Sequence, residues 1–546
     1  MKKTLFFLLI SNFFFAQWSI SNAERSALVN IYNSTDGENW NRTWDLEKDP
    51  RNWFGVVVKN GAVVELNLAG NALSGTFPTN ISSFKKLTKL DFSNNKLTGE
   101  VATSISSLSL LTKLDVSNNR LTGDPTTALS GLFNVEDLGL GGNYFVISDV
   151  NGTLQSFNSI KILNISDLGL VNIPAKIAAF TNLETLILDN NPIAANAYGN
   201  IAGLTKLKTL SLSGTGLSQI PTQVSQRTQL TSLDLSGNNL TEQNTSGLST
   251  LTNLEWLSLE NNQLSQVPNQ LAQLEKLQSL NLGRNKISGN LATLTSLSIL
   301  QQLFLNNNQL SGNFPSALLG MSKLVMVNLN SNQLTGELPD QLPAITHISN
   351  NRFSKTDLSN YITDFSEQTD LNYSPQRYDA EKEVLGIIGQ QAKLEQSLSG
   401  SEYTFTWFKN LDQKMNISTE SLNFSNVQNT DYAIYTAEAY TYGVLNNNVI
   451  FDLSLFREPI SLVESLSTLG TSDLKDLSIY PNPATDFINI LNVKHKIEKV
   501  AIFDLTGKQM MSDTNQKINV SKLPSGVYLL SVKTETGFKN FKFIKQ

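Results

Sequence analysis

The sequence predicts a multi-domain chain: a long α/β solenoid of stacked repeats followed by two all-β sandwich domains. Three observations predict it. The run Leu87, Leu90, Phe92, Asn95, Leu97 returns as Leu111, Leu114, Val116, Asn119, Leu121, and its descendants continue at a period of 23 to 25 residues as far as Asn332. Beyond Pro375 that period stops and short alternating apolar runs begin, with Tyr403-Thr404-Phe405-Thr406-Trp407-Phe408 the clearest. A chain of 546 residues is also long enough for several domains.

Written as L-x-x-L-x-L-x-x-N-x-L, the unit resembles a leucine-rich repeat. The alternating Leu positions turn one face of a short strand inward, and the Asn closes the following turn by bonding backbone groups that would otherwise be buried and unpaired. Asn71, Asn95, Asn119, Asn143, Asn191, Asn238, Asn262, Asn285, Asn308 and Asn332 hold that place. Leu168 and Thr215 stand where Asn is expected, so the Asn ladder is expected to break there, with the Thr215 hydroxyl a partial substitute. About twelve repeats plus a degenerate last one ending at Asn351 and Phe353 fill residues 63–353. Leu73-Ser74-Gly75-Thr76-Phe77-Pro78 and Leu334-Thr335-Gly336-Glu337-Leu338-Pro339 resemble the plant-type variant, whereas Leu217-Ser218-Gln219-Ile220-Pro221 resembles the common bacterial form. That difference alters the convex side, not the strand face.

Met1-Lys2-Lys3 followed by an apolar run over residues 5–15 reads as a secretory signal over residues 1–23. A buried N-terminal helix is the alternative. Ser21-Asn22-Ala23 fits a small-x-small cleavage rule better than a cut after Ala16, which places Phe14 at a small-residue position. Residues 24–62 then form a cap, because an uncovered terminal repeat would expose a strip of leucines. Ala27-Leu28-Val29-Asn30-Ile31-Tyr32, Trp40, Trp44 and Trp53-Phe54-Gly55-Val56 resemble the N-terminal cap of plant-type and bacterial leucine-rich repeat proteins. The cysteines that often flank that W-x-G-V are missing, so Trp packing alone is expected to hold the cap; ligand stacking is the other reading of these rings.

The chain contains no cysteine, which removes disulfides, thiol catalysis and thiolate metal sites. Its formal charge is −6, or −8 once Lys2 and Lys3 leave with the signal. From Leu477 onward ten lysines face five acidic residues, a net +5, so residues 24–476 carry about −13. An acidic body argues against a nucleic-acid partner.

After the repeats, residues 354–370 read as a polar capping helix and connection. The run Asp431-Tyr432-Ala433-Ile434-Tyr435-Thr436-Ala437 resembles the tyrosine corner of immunoglobulin-like domains, with Tyr435 as corner residue and Trp407 as core Trp. The resemblance places an immunoglobulin-like sandwich at residues 371–460, with Ala437 and Leu394 where the family's two cysteines would fall. A Ser-, Leu-, Thr- and Gly-rich linker follows at residues 461–476.

Residues 477–546 open with Leu477-Ser478-Ile479-Tyr480-Pro481-Asn482-Pro483 and continue through Asp504-Leu505-Thr506-Gly507-Lys508 and Leu523-Pro524-Ser525-Gly526-Val527-Tyr528, ending in a Lys-rich strand. Physically this is a small β-sandwich with Gly turns. By resemblance it is similar to the C-terminal sorting domain of the type IX secretion system of Bacteroidota, with Pro481, Asn482, Pro483, Asp504, Gly507, Lys508, Gly526 and Tyr528 as the sorting signal. The resemblance implies Sec export to the periplasm, engagement of the type IX machinery, and secretion or attachment to surface lipopolysaccharide. A terminal β-domain retained for adhesion is the alternative.

No P-loop, dinucleotide turn, metalloprotease motif or calcium loop occurs, and His347 and His495 lack catalytic company, so neither an enzyme, a metal nor a cofactor is expected. A solenoid's stacked strands instead form a wide concave sheet. Lys89, Asp91, Lys113 and Asp115 read there as solvated ladders. Trp256, Glu260, Arg284, Phe304, Val325 and Met326 occupy outward positions in four successive repeats, preceded by Ile187, and exposed aromatics beside an Arg have the composition of an interface centre. They form the candidate contact for a protein ligand, as in an adhesin or cell-contact factor. A surface polysaccharide stacking on Trp256 and Phe304, or packing of these residues against another part of the chain, are the competing readings.

Overall fold

A computed structural model of the chain describes residues 19–358, 361, 370–445, 448–464, 477–493, 495–504, 509–534 and 537–545. They divide into two compact units, Met1–Gln309 with Pro315–Asn328, and Leu310–Phe314 with Leu329–Gln546.

The first unit opens with the helix Asn22–Ser34, which buries Ala27, Leu28 and Ile31. Three indoles pack against one another behind it: the Trp44 ring centroid lies 4.9 Å from Trp40 and 4.8 Å from Trp53. Each indole N–H donates to a backbone carbonyl, of Thr35, Phe54 and Asp45 in turn. Those tryptophans are therefore cap core, because their rings are buried and their only polar atoms are satisfied internally. The cap starts earlier than residue 24. Ile20 is 6% exposed, and Ser21 caps the helix through a reciprocal bond with Glu24.

An antiparallel pair, Val56–Lys59 with Ala62–Asn67, closes the open edge of a parallel sheet. The strands that follow are three residues long and in register, so that Leu66, Leu90, Leu114 and Leu138 align across neighbours. All four are fully buried. Repeats of this length leave too few residues between strands for long helices, so the opposite side is built chiefly of single turns such as Thr79–Ser83 and Asn269–Gln273. Where the plant-type variant occurs, a second parallel sheet of Ser74–Thr76, Lys96–Gly99 and Arg120–Leu121 forms in addition to those turns.

The Asn ladder works as a two-way clamp. Asn119 Nδ2 donates to the Phe92, Val116 and Ser117 carbonyls at 2.9, 3.1 and 3.2 Å, and its Oδ1 accepts from the Leu97 N–H at 3.0 Å. One side chain thus satisfies its own turn and the one before it. Thr215 makes a single such bond, Oγ1 to the Leu212 carbonyl at 2.8 Å, while Leu168 can make none through its side chain.

In the second unit the strand Ile345–His347 pairs in parallel with Asp370–Asn372, and Asn351 repeats the clamp. A further rung follows. Gln376, fully buried, accepts from the Asn351 and Phe353 N–H groups and donates to the Ile348 and Tyr373 carbonyls. Leu371, where the sequence reading begins the β-module, therefore lies in a strand of repeat type. Its rung was hidden because Gln replaces Asn. Of the expected capping segment only residues 354–358, 361 and 370 are described, and the linker lies outside the described residues beyond Glu464.

The β-module places Thr404–Lys409, Ala433–Leu445 and Asn448–Arg457 in one antiparallel sheet, and Ala392–Leu394 with Leu422–Phe424 in a second pair. Leu394, Trp407, Leu422, Tyr435, Ala437, Ile460 and Leu462 form its core. Tyr435 donates through its hydroxyl to the Asp431 carbonyl at 2.7 Å, a bond back to the backbone just upstream.

The C-terminal part has two antiparallel sheets. Ser478–Tyr480, Phe487–Leu491 and Lys517–Asn519 make one; Gln509–Asp513, Ile497–Asp504, Gly526–Thr534 and Gly537–Lys545 make the other. A shared core runs from Leu477 to Phe543.

Candidate functional site

Register across the parallel sheet sorts the outward side chains into rows, one residue per strand and about 4.8 Å apart. One row runs Glu65, Lys89, Lys113, Asp137 and later Ser232, Trp256, Ser279, Gln302, Met326. Two residues further along each strand lies the row Asp91, Asp115, Gly139, and later Ser258, Asn281, Phe304, Asn328.

In the early repeats these rows are consumed by one another. Lys89 pairs with Glu65 at 3.2 Å, and Lys113 bridges Asp91 and Asp137 at 3.1 and 3.2 Å. Burial would lower the Lys113 ammonium, but the flanking carboxylates outweigh it and hold it above its ordinary value. Burial pushes the Asp137 carboxyl up, against the pull of Lys113. Asp91 and Asp115 also accept from the N–H and hydroxyl of Ser93 and Ser117. The Lys and Asp rows are thus structural as well as solvated.

The later repeats differ. Trp256 projects from the strand Trp256–Ser258 and is 37% exposed, and Val325 is 47% exposed; Phe304 and Met326 are half-buried. From strand spacing, Trp256 and Phe304 stand about 12 Å apart, two strands over and two residues along. The rings do not touch. Between them lies a floor of Ser279, Asn281 and Gln302. Arg284 is not beside Trp256 in a cation–π contact; it is ion-paired with Glu260 at 3.3 Å, and Glu260 also accepts from Asn281 Nδ2 at 2.8 Å. The structure therefore joins Glu260 to Arg284 and separates the aromatic anchors.

A feature missed in the sequence lies upstream of the Trp. Lys161 and Lys208 are spoken for by Glu136 and Glu184. Among the described residues, Asp167, Asp189, Asp234 and Glu255 have no ion pair. Burial first, and then Asp234 and Asp167, pushes the Asp189 carboxyl above its ordinary value, against hydrogen bonds from Ser211 and Ser213. Matching each cation to the row on either side would have found this excess.

In the C-terminal part, Asn482 Nδ2 donates to the Lys542 carbonyl and its Oδ1 accepts from the Ile544 N–H, both at 2.9 Å. Pro481 and Pro483 flank that anchor, which ties the final strand to the opening of the domain. Tyr528 stacks on Phe543 at 5.5 Å and donates to the Pro524 carbonyl at 2.9 Å. Asp504 aligns with Tyr528, and Gly526 with Lys545, across their strands. Gly507 and Lys508 lie outside the described residues.

Residues 62–121, 181–240 and 228–287 match the family described as Leucine rich repeat, as do residues 300–321 in a second family of that description. Residues 478–546 match the Secretion system C-terminal sorting domain. The chain carries leucine-rich repeats and a type IX sorting domain. That domain marks the protein for secretion or the cell surface. Among solved structures, it is similar to a leucine-rich repeat protein of Leptospira interrogans, at 27% identity over 55% of this chain and 76% of that one, with a TM-score of 0.46. It is similar also to the leucine-rich repeat ectodomain of the Arabidopsis receptor kinase HAESA, crystallised with a peptide hormone, at 25% identity over 66% of this chain and 62% of that one, with a TM-score of 0.47. No curated protein matches it. Among the described residues no cluster of His, Cys, Asp or Glu could hold a metal ion, and no helix is long and apolar enough to cross a membrane.

Proposed function

We propose that this is an exported, non-catalytic recognition protein that binds a protein partner on the inner sheet face of its repeats, centred on Trp256, Phe304, Val325 and Met326, with the paired Glu260 and Arg284 at the rim. The observation that carries this is the change of surface along one sheet. Ion pairs give way to exposed apolar side chains held on short strands, beside carboxylates that no cation of the described residues neutralises. Rigid aromatic anchors around a polar floor are the chemistry of an interface centre. Uncompensated Asp167, Asp189, Asp234 and Glu255 favour an extended partner segment carrying Lys or Arg, one of which could sit over the Trp256 ring. A neutral polysaccharide would stack on the same rings and hydrogen-bond to those carboxylates, but would leave their charge uncompensated.

Sec passage, removal of the sorting domain and attachment to surface lipopolysaccharide complete the proposed route. The β-module is read as immunoglobulin-like: Leu394 and Ala437 fill the cysteine positions as core side chains beside Trp407.

The test measures binding of the exported protein to a panel of Lys/Arg-bearing, acidic and neutral peptides and to a glycan array. Basic peptides are expected to bind, more weakly as salt rises. The double variant Trp256→Ser, Phe304→Ser should weaken that binding by about 10- to 100-fold at unchanged melting temperature. Undiminished binding by the variant, or binding to glycans alone, overturns the proposal.

A further inference from the structure

We propose that the leader is cut between Ala16 and Gln17, so that the mature protein keeps the seven residues before Glu24. The cap requires three of them, Ser19, Ile20 and Ser21. Ser19 donates through its hydroxyl to Asp49 Oδ1 at 2.7 Å and through its N–H to Asp49 Oδ2 at 3.3 Å. Ile20 is buried in the cap. Ser21 Oγ accepts from the Glu24 N–H at 3.2 Å, the Glu24 carboxylate accepts in return from Ser21, and the Ser21 carbonyl accepts from the Arg25 N–H at 3.0 Å.

A cut after Ala23 removes every one of these partners. It leaves the first turn of Asn22–Ser34 without its cap and places a new ammonium at the positive end of the helix dipole. The same cut disturbs the sheet, because Glu24, almost wholly buried, accepts from the Val63 N–H at 3.1 Å in the first inner strand. A cut after Ser21, which also fits a small-x-small pattern with Ser19, removes the helix cap and Ile20 as well. Of the small residues that follow the apolar run, Ala16 alone lies far enough upstream to spare Ser19, Ile20 and Ser21. The unfavourable Phe14 two places before it is the compromise this site accepts in exchange for an intact cap.

The inference rests on the leader reading of residues 1–16 and is independent of the partner. The chain is expressed with its own leader, and the exported protein is labelled at its α-amine before digestion with trypsin. A peptide running from Gln17 to Arg25 is expected, either labelled or, where the terminal Gln17 has cyclised with loss of ammonia, as its unlabelled pyroglutamyl form. A label on Glu24, on Asn22 or on Met1 overturns the proposal. Ala16→Phe should accumulate the precursor, whereas Ala23→Leu, at an exposed helix position, should be processed as wild type. The reverse pattern also overturns it.

Discussion

The early and late stretches of the inner sheet face share one backbone and carry two different surfaces. Around Lys113 the outward residues neutralise one another and close turns, so little binding capacity is left over. From Asp234 to Met326 the same positions hold Asp234 and Glu255 without cations, one ion pair between Glu260 and Arg284, and partly exposed rings that do not touch each other. The inward apolar positions are buried in both, and the same Asn ladder runs through both. Scaffold and surface are therefore separable: one set of positions sets the stacking, and the other is free to vary by repeat.

Variants can break that separation if it is wrong. The largest effect is expected from the ladder. Asn119→Ala and Asn262→Ala should each cost about 2–4 kcal/mol in urea unfolding, because each leaves several buried backbone groups unpaired. Equal losses at the two sites support a common scaffold; a marked inequality contradicts it. Next comes the Trp256/Phe304 double variant, whose effect falls on binding and not on stability. Lys113→Ala should cost about 1 kcal/mol, discounted for its partial exposure, and leave peptide binding unchanged. A loss of binding there would move the contact surface upstream.

The smallest effect sharpens the comparison through pH. The Asp189 carboxyl is raised in the folded chain, so the folded state holds its proton better than the unfolded one. Ionised Asp189 thus opposes folding, a penalty that is complete above its folded value, fades as pH falls through that value and is gone below the unfolded one. Asp189→Asn is expected to raise the melting temperature by about 1 °C at neutral pH, with no gain in acid. The same variant should weaken binding of a basic peptide at neutral pH.

The repeat period, the cap tryptophans and the sorting motifs were legible because each is local or strictly periodic. Gln376 was not, since a longer amide reaches the same carbonyls from a position where the consensus demands Asn. The Glu260–Arg284 pair was also hidden, because it joins side chains of neighbouring repeats. The role of Ser21 was concealed by a cleavage rule that reads three residues and ignores the helix they cap.

By itself the sequence determined the stacking, because Leu and Asn at a fixed period leave the chain one economical way to bury its apolar edge and pair its turns. Tertiary structure alone decided which charges meet, since ion pairs form across a strand spacing between residues that are some 25 apart in the chain. Only after those pairs are drawn do Asp167, Asp189, Asp234 and Glu255 remain over, and with them the chemistry a partner would recognise.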